Sequence, residues 1–223
     1  MNMTKCKLIV IEAGDGSGKA TQTKKLFEHL TSDGHNVKQI SFPDYDSPSS
    51  SLIKMYLNGD FGSHADDVDA YAASTFYAVD RYASYKTNWQ QFYKSGGIII
   101  ADRYTTSNMV HQAVKINDDS ERDKFLNWLD DFEYEKLKLP RPDIVIFLDM
   151  PPEISERLIV ERNKMDIHER DFDYQRRCYA AYKQIAAKFN WITIKCSEGN
   201  NPKSIESIHD DIYDAINRIK LNI

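Results

Sequence analysis

The sequence predicts an α/β fold, a largely parallel five-stranded sheet flanked by helices. Five short apolar, β-branched runs recur along the chain, and helix-like segments lie between them. Three of the runs lack an apolar–polar alternation, as expected of strands covered on both faces. A glycine-rich turn joins the first run directly to the first helix pattern, which fixes where the sheet's carboxyl edge begins. With 223 residues, 41% apolar and 28% charged, the chain is sized for one globular domain spanning 1–223.

Taken in order, "KLIVIE" (7–12) is the first strand and "KATQTKKLFEHL" opens an amphipathic helix over 19–32. The remaining strands are "VKQISF" (37–42), "GIIIAD" (97–102), "DIVIFLD" (143–149) and "WITIKC" (191–196). Helices are expected over 49–58, 65–95, 121–137, 152–163, 172–189 and 202–220. The breaks "SDGHN", "KSGG" and "LPRPD" supply turn chemistry within one domain rather than a linker.

Composition excludes several functions. A net charge of -5 argues against a surface built for nucleic acid or an acidic membrane, both of which call for a basic excess. Cys6, Cys178 and Cys196 form neither a disulfide framework nor a zinc-ligand spacing. The histidines do not cluster for a metal, and His29, His35 and His64 read as surface residues. No apolar run approaches the roughly 20 residues that span a bilayer, and no basic segment with a cleavage site precedes the first strand, so a cytoplasmic protein is expected.

The turn "AGDGSGKAT", Ala13, Gly14, Asp15, Gly16, Ser17, Gly18, Lys19, Ala20 and Thr21, lies between a strand and a helix, the context a phosphate loop needs. Its glycines let backbone N–H groups approach an anion, the helix N-terminus adds partial positive charge, and Lys19 brings a cation to the β and γ phosphates. The loop departs from G-x-x-x-x-G-K-[ST] at both ends, with Ala13 for Gly and Ala20 for the hydroxyl residue that ordinarily ligates Mg²⁺. Thr21, or phosphates, water and a carboxylate, would then hold the metal. Asp102 suits a metal-water ligand at the carboxyl end of the third strand, and Arg103 beside it suits a phosphate clamp.

Tyr77 and Arg81 are four residues apart and share a helix face, able to stack on and hydrogen-bond a base, while Phe76 or Tyr82 reads as core. The run "ERLIVERNKMDIHERD" collects Arg157, Arg162, Lys164, His168 and Arg170 after the fourth strand, where a mobile lid at about 157–171 would bring arginines onto phosphates. Its "NKMD" (163–166) matches the guanine-reading motif of GTPase switches. There, however, the motif directly follows an apolar strand, and this one follows a charged, helix-like segment.

The loop "EAGDGSGK", the "FP" turn at Phe42 and Pro43, the Tyr77/Arg81 pair, "DRYTTSN" at 102–108 and the lid after "LDMPPE" occur together in one order. In this the chain resembles the thymidylate kinase family, of the P-loop nucleoside monophosphate kinase type. The resemblance implies transfer of a phosphoryl group from ATP, with Mg²⁺, to dTMP, and a homodimer packed through helices. It implies that Asp15 meets the sugar 3′-hydroxyl, that Arg103 grips the acceptor phosphate, and that Tyr77 stacks the base while Arg81 and Asn108 hydrogen-bond it. Phe42, Pro43, Ser107 and Gln112 would complete the acceptor site, with Lys19 and the lid's Arg162 and Arg170, or Lys164, neutralising the transferring group. Three departures stand out: Asp44-Tyr45 where relatives carry an Arg after "FP", His111-Gln112 where an aromatic-Gln pair is common, and Ala20. Kinases for another deoxynucleotide or a nucleoside remain the nearest alternatives.

Overall fold

The computed structural model describes residues 7–160 and 171–218. Five parallel strands, β1 (Lys7–Ala13), β2 (Val37–Ser41), β3 (Ile98–Asp102), β4 (Ile144–Asp149) and β5 (Ile192–Lys195), form one sheet in the order β2-β3-β1-β4-β5. β1 is central, registering Ile11 against Asp102 of β3 and Ala13 against Leu148 of β4. The loop after β1 therefore opens at the carboxyl edge between the loops that follow β3 and β4.

All seven residues of β1 are buried, which accounts for its unbroken apolar run. The pleat sends alternate side chains to opposite faces. Ile9 and Ile11 pack with Leu26 and Leu30 of α1 (Lys19–Ser32) and with Ile208, Ile212 and Ile216 of α9 (Ile205–Arg218). Leu8 and Val10 meet Tyr85, Trp89 and Tyr104 on the other face. Each such side chain contributes roughly 1.5–3 kcal/mol when fully buried. α8 (Phe172–Lys188) covers β4, with Tyr182 stacked on Phe147 at 5.1 Å.

The expected five strands and the helix at 19–32 are all present, whereas the long segment expected over 65–95 is divided. The Asp69 side chain accepts from the Tyr71 and Ala72 amides, so α3 (Ala70–Ser84) starts there, separate from a 3₁₀ turn at Ala65–Asp67. A π-helical turn over Tyr85–Trp89 then buries both end residues before α4 (Gln90–Lys94). A second π turn, Asp131–Lys136, follows α6 (Asp119–Asp130), so the segment expected over 121–137 also changes helix type. Residues 49–58 begin as a 3₁₀ turn, Pro48–Ser50, before α2 (Ser51–Asn58). α7 is described over Pro152–Val160, and the rest of the helix expected to residue 163 falls outside the described residues. Two features escape the sequence pattern: α5 (Thr105–His111), and a minimal antiparallel pair of β6 (Ser197–Glu198) with β7 (Asn201–Pro202), which delays the last helix to Ile205. Tyr82 is 39% exposed, so of the two aromatics only Phe76 packs against the core. No helix among the described residues is long and apolar enough to cross a membrane.

His29 is also not a plain surface residue. Its Nδ1 lies 2.8 Å from Nε2 of His209, tying α1 to α9, and its ring stacks on Tyr213 at 3.9 Å. Burial, then the nearby His29 and Lys25, lower the pKa of His209 from its ordinary 6.5, against the opposing Asp210 and Glu206. A cationic group with a lowered folded pKa binds fewer protons when folded than unfolded, so stability is lost as pH falls through 6.5 towards the folded value. The Tm of the parent protein should fall more between pH ~7 and ~5 than that of His209→Gln. Parallel slopes for the two in a thermal scan would remove His209 from this role.

Candidate functional site

The loop after β1 turns through Gly16 (φ 74°) and Gly18 (φ 79°), both left-handed. A Cβ on Gly16 would stand 2.7 Å from the Ser155 carbonyl oxygen of α7, so both conformation and space require glycine there. Ser17 Oγ closes the loop by donating to Gly14 O at 2.5 Å. Gly14 to Thr21, with Leu158, line a cavity of about 280 Å³ at the N-terminus of α1. Lys19 lies in it with Nζ 2.6 Å from Asp102 Oδ1. Burial, then the neighbouring Arg103, lower the lysine's pKa, while Asp102 works in the opposite direction.

Arg103 follows β3 in a left-handed conformation (φ 66°), unusual for a side chain of this size and held by its contacts. Its Nη2 donates to Asp15 Oδ1 at 2.5 Å, and Nη1 to Tyr182 Oη at 3.0 Å and Ser107 Oγ at 3.3 Å, with His111 Nε2 at 3.2 Å. Asp15 also accepts from Gln175 Nε2 at 3.1 Å. Burial alone would raise the Asp15 pKa, but Arg103, His111, the Gln175 hydrogen bond and Lys19 together hold it below the ordinary carboxylate range. At neutral pH Asp15 is therefore an acceptor-only carboxylate.

A second cavity, of about 90 Å³, meets the phosphate loop at Asp15. Phe42, Pro43, Tyr77, Arg81, Arg103, Ser107, Asn108 and Gln112 all line it, so the structure gathers every acceptor-site candidate. Phe42–Pro43 is a cis peptide. Gln112 is 1% exposed, and neither end of its amide has a hydrogen-bond partner among the described residues. A buried, unanswered amide beside a cavity is an expensive arrangement unless a ligand answers it. Tyr45, in the Asp44-Tyr45 pair that follows the "FP" turn, lines the same cavity and is 50% exposed. Arg162, Lys164 and Arg170 of the expected lid lie outside the described residues.

Four residues of this framework escaped the sequence reading. Glu12, fully buried, accepts from the Tyr104 amide, Thr106 Oγ1, Ser107 Oγ and Tyr182 Oη at 2.5–3.2 Å, pinning the segment after Arg103 to β1. Tyr182 and Gln175 come from α8, and Glu133 from the second π turn. An acidic residue inside an apolar strand, "LIVIEA", was the available signal for Glu12. The other three depend on long-range packing.

A glycine-rich loop with its lysine meets, at one ionised aspartate, a cavity with arginine and aromatic walls, at the carboxyl edge of a five-stranded parallel sheet: the fold is of the P-loop nucleoside monophosphate kinase type. The thymidylate kinase family pattern matches residues 11–212. The thymidylate kinase of Mycobacterium tuberculosis is 31% identical over 188 residues, 81% of this chain and 86% of that one. A probable thymidylate kinase of Pyrococcus horikoshii is 31% identical over 92% of each chain, and the Homo sapiens thymidylate kinase 27% over 92% of this chain and 87% of that one. The chain belongs to the thymidylate kinase family, whose reaction is the ATP-dependent phosphorylation of dTMP to dTDP.

Proposed function

We propose that the loop cavity takes the ATP phosphates and the second cavity takes dTMP, with transfer occurring in line past Asp15. The observation that carries this reading is the sharing of Asp15 by both cavities. Phosphoryl transfer asks the protein for alignment and charge neutralisation rather than covalent chemistry. Amides of Gly14 to Thr21 and Lys19 hold the donor phosphates, and Arg103 clamps the acceptor phosphate. Asp15 accepts the 3′-hydroxyl, Tyr77 stacks the base, and Arg81, Asn108 and Gln112 bond its edge. Phe42, Pro43 and Ser107 close the walls.

The donor set suits a hydrated Mg²⁺. Asp102 is a buried carboxylate beside the loop that engages Lys19 through Oδ1, and Thr21 lines the phosphate cavity where Ala20 offers no hydroxyl. Asp102 would hold the ion through water, and the ion would neutralise charge on the phosphate oxygens. Two apolar faces support a homodimer: Leu52 and Met55 on α2 and Val79 and Tyr82 on α3 are 39–52% exposed. Val79→Glu should shift the protein to monomer in light scattering, and an unchanged mass would contradict this interface. A cytoplasmic setting accords with this reading.

Coupled ADP release with dTMP, dUMP, dCMP, dGMP and thymidine as acceptors tests the assignment. Turnover of thymidine without dTMP would end it. The lid is testable separately. An arginine supplied to such a transition state is worth about 10³–10⁵ in rate. Of Arg162→Ala and Arg170→Ala, at least one should lose about a hundredfold or more in kcat with nucleotide affinity nearly unchanged. Near-normal kcat in both would make the lid a cover only.

A further inference from the structure

Arg81 is 1% exposed, although it lines the acceptor cavity. Its Nε donates to Glu133 Oε2 at 2.7 Å and its Nη2 to Glu133 Oε1 at 2.5 Å, a bidentate pair whose carboxylate is fully buried. Thr105 Oγ1 donates to the same Oε2 at 2.8 Å. Nη1 makes a long bond, 3.4 Å, to the carbonyl of Tyr104, the residue after Arg103. The Nε–Nη2 edge of the planar guanidinium is thus sealed against Glu133, while Nη1 meets, among the described residues, only the Tyr104 carbonyl, at the long distance of 3.4 Å, in a residue that lines the cavity.

Glu133 reaches this place because the chain is π-helical over Asp131–Lys136, which turns consecutive residues Glu133 and Tyr134 inward. Such turns are rare and concentrate at functional sites. A buried ion pair is weak evidence for stability, since apolar residues of similar volume often serve as well. What the pair does fix is direction. Burial works against the Arg81 charge, but Glu133 more than compensates, so its pKa lies above the ordinary value and the group offers donors only.

We propose that Glu133 is a positioning residue for acceptor choice, holding Arg81 so that it presents donors to the base edge and favours a 4-oxo pyrimidine over a 4-amino one. The inference rests on the assignment of Arg81 to the base. A 4-oxo group accepts from the guanidinium, whereas a 4-amino group turns its own hydrogens towards it and leaves buried donors unanswered, the kind of mismatch that sites reject strongly. Thr105 serves the same end by holding Oε2.

The test compares dTMP with dCMP in the parent protein, Glu133→Gln, Thr105→Val and Thr105→Ser, measuring KM and kcat for each acceptor, KM for ATP, and Tm. Glu133→Gln should raise KM for dTMP about tenfold and lower the dTMP-over-dCMP ratio of kcat/KM at least about fivefold, with kcat and KM for ATP nearly unchanged. Thr105→Val should move the same quantities about threefold, and Thr105→Ser, which keeps the hydroxyl, should restore them. A folded Glu133→Gln with KM and ratio within about twofold of the parent overturns the proposal, as does equal weakening of ATP and dTMP. If Glu133→Gln does not fold, Thr105→Val decides by the same criteria. A parent protein that turns over no dTMP sinks the assignment of function itself, whereas normal parental turnover with insensitive variants sinks only the role of Glu133.

Discussion

Lys19→Ala is expected to lower kcat by about 10³ or more, the largest effect of any single change in the loop, because preorganised charge at the transferring group is worth on the order of 10²–10³ per donor even without a full cation. The residue sits where the cavity, the α1 N-terminus and Asp102 converge. The sequence alone suggests a side chain that touches only ligand and is silent in stability. The structure places Lys19 Nζ on Asp102 at 2.6 Å, with the two side chains 13% and 9% exposed, so truncation leaves a nearly buried carboxylate without its cation. A fall in Tm is therefore expected together with the loss of turnover. Lys19→Ala/Asp102→Asn removes both charges and separates the two effects: stability should recover towards that of the parent while turnover stays absent. Recovery of turnover in the double variant would show that Lys19 acts by neutralising Asp102 rather than by holding phosphate.

How much of the site could be read in advance follows from the range over which each signal acts. The five strands and α1 announce themselves by local apolar periodicity, and the phosphate loop by glycines at fixed spacing between two such elements. Tyr77, Arg81 and Asn108 line one cavity with Arg103, residues that the family resemblance groups together. What stayed hidden is the support for these residues. Glu133 lies 52 positions from Arg81 and Tyr182 lies 79 from Arg103, and no periodicity relates them. α5 was missed because its seven residues are too few to establish a helical period, and it is the Glu12 carboxylate, gathering hydroxyls and an amide, that holds the start of this helix against β1. The π turns were missed because sequence patterns of helical period do not distinguish where one extra residue is inserted.

Arg103→Ala separates acceptor from donor. The guanidinium bridges Asp15, Ser107, His111 and Tyr182 at the junction of the two cavities, in a left-handed conformation held by those contacts. Two losses follow from its removal. On the proposed placement the acceptor phosphate loses its clamp, and Asp15 loses the strongest of the influences that keep it ionised, leaving burial to raise its pKa. Removing one partner of a buried, hydrogen-bonded charge pair costs about 2–5 kcal/mol, which for the transition state corresponds to a fall in kcat/KM for dTMP of about 30-fold to about 5,000-fold. Because Asp15 becomes easier to protonate, the residual activity should also gain an acid limb at higher pH than in the parent, where Asp15 is held below the ordinary carboxylate range. Binding of ATP, proposed to meet Gly14 to Thr21 and Lys19, should change little. The decisive measurement is a pair of titrations, ATP and dTMP separately, together with a pH profile of kcat/KM. Equal loss of affinity for both nucleotides would move Arg103 out of the acceptor site, and an unshifted acid limb would mean that Lys19, His111 and Gln175 suffice to keep Asp15 ionised.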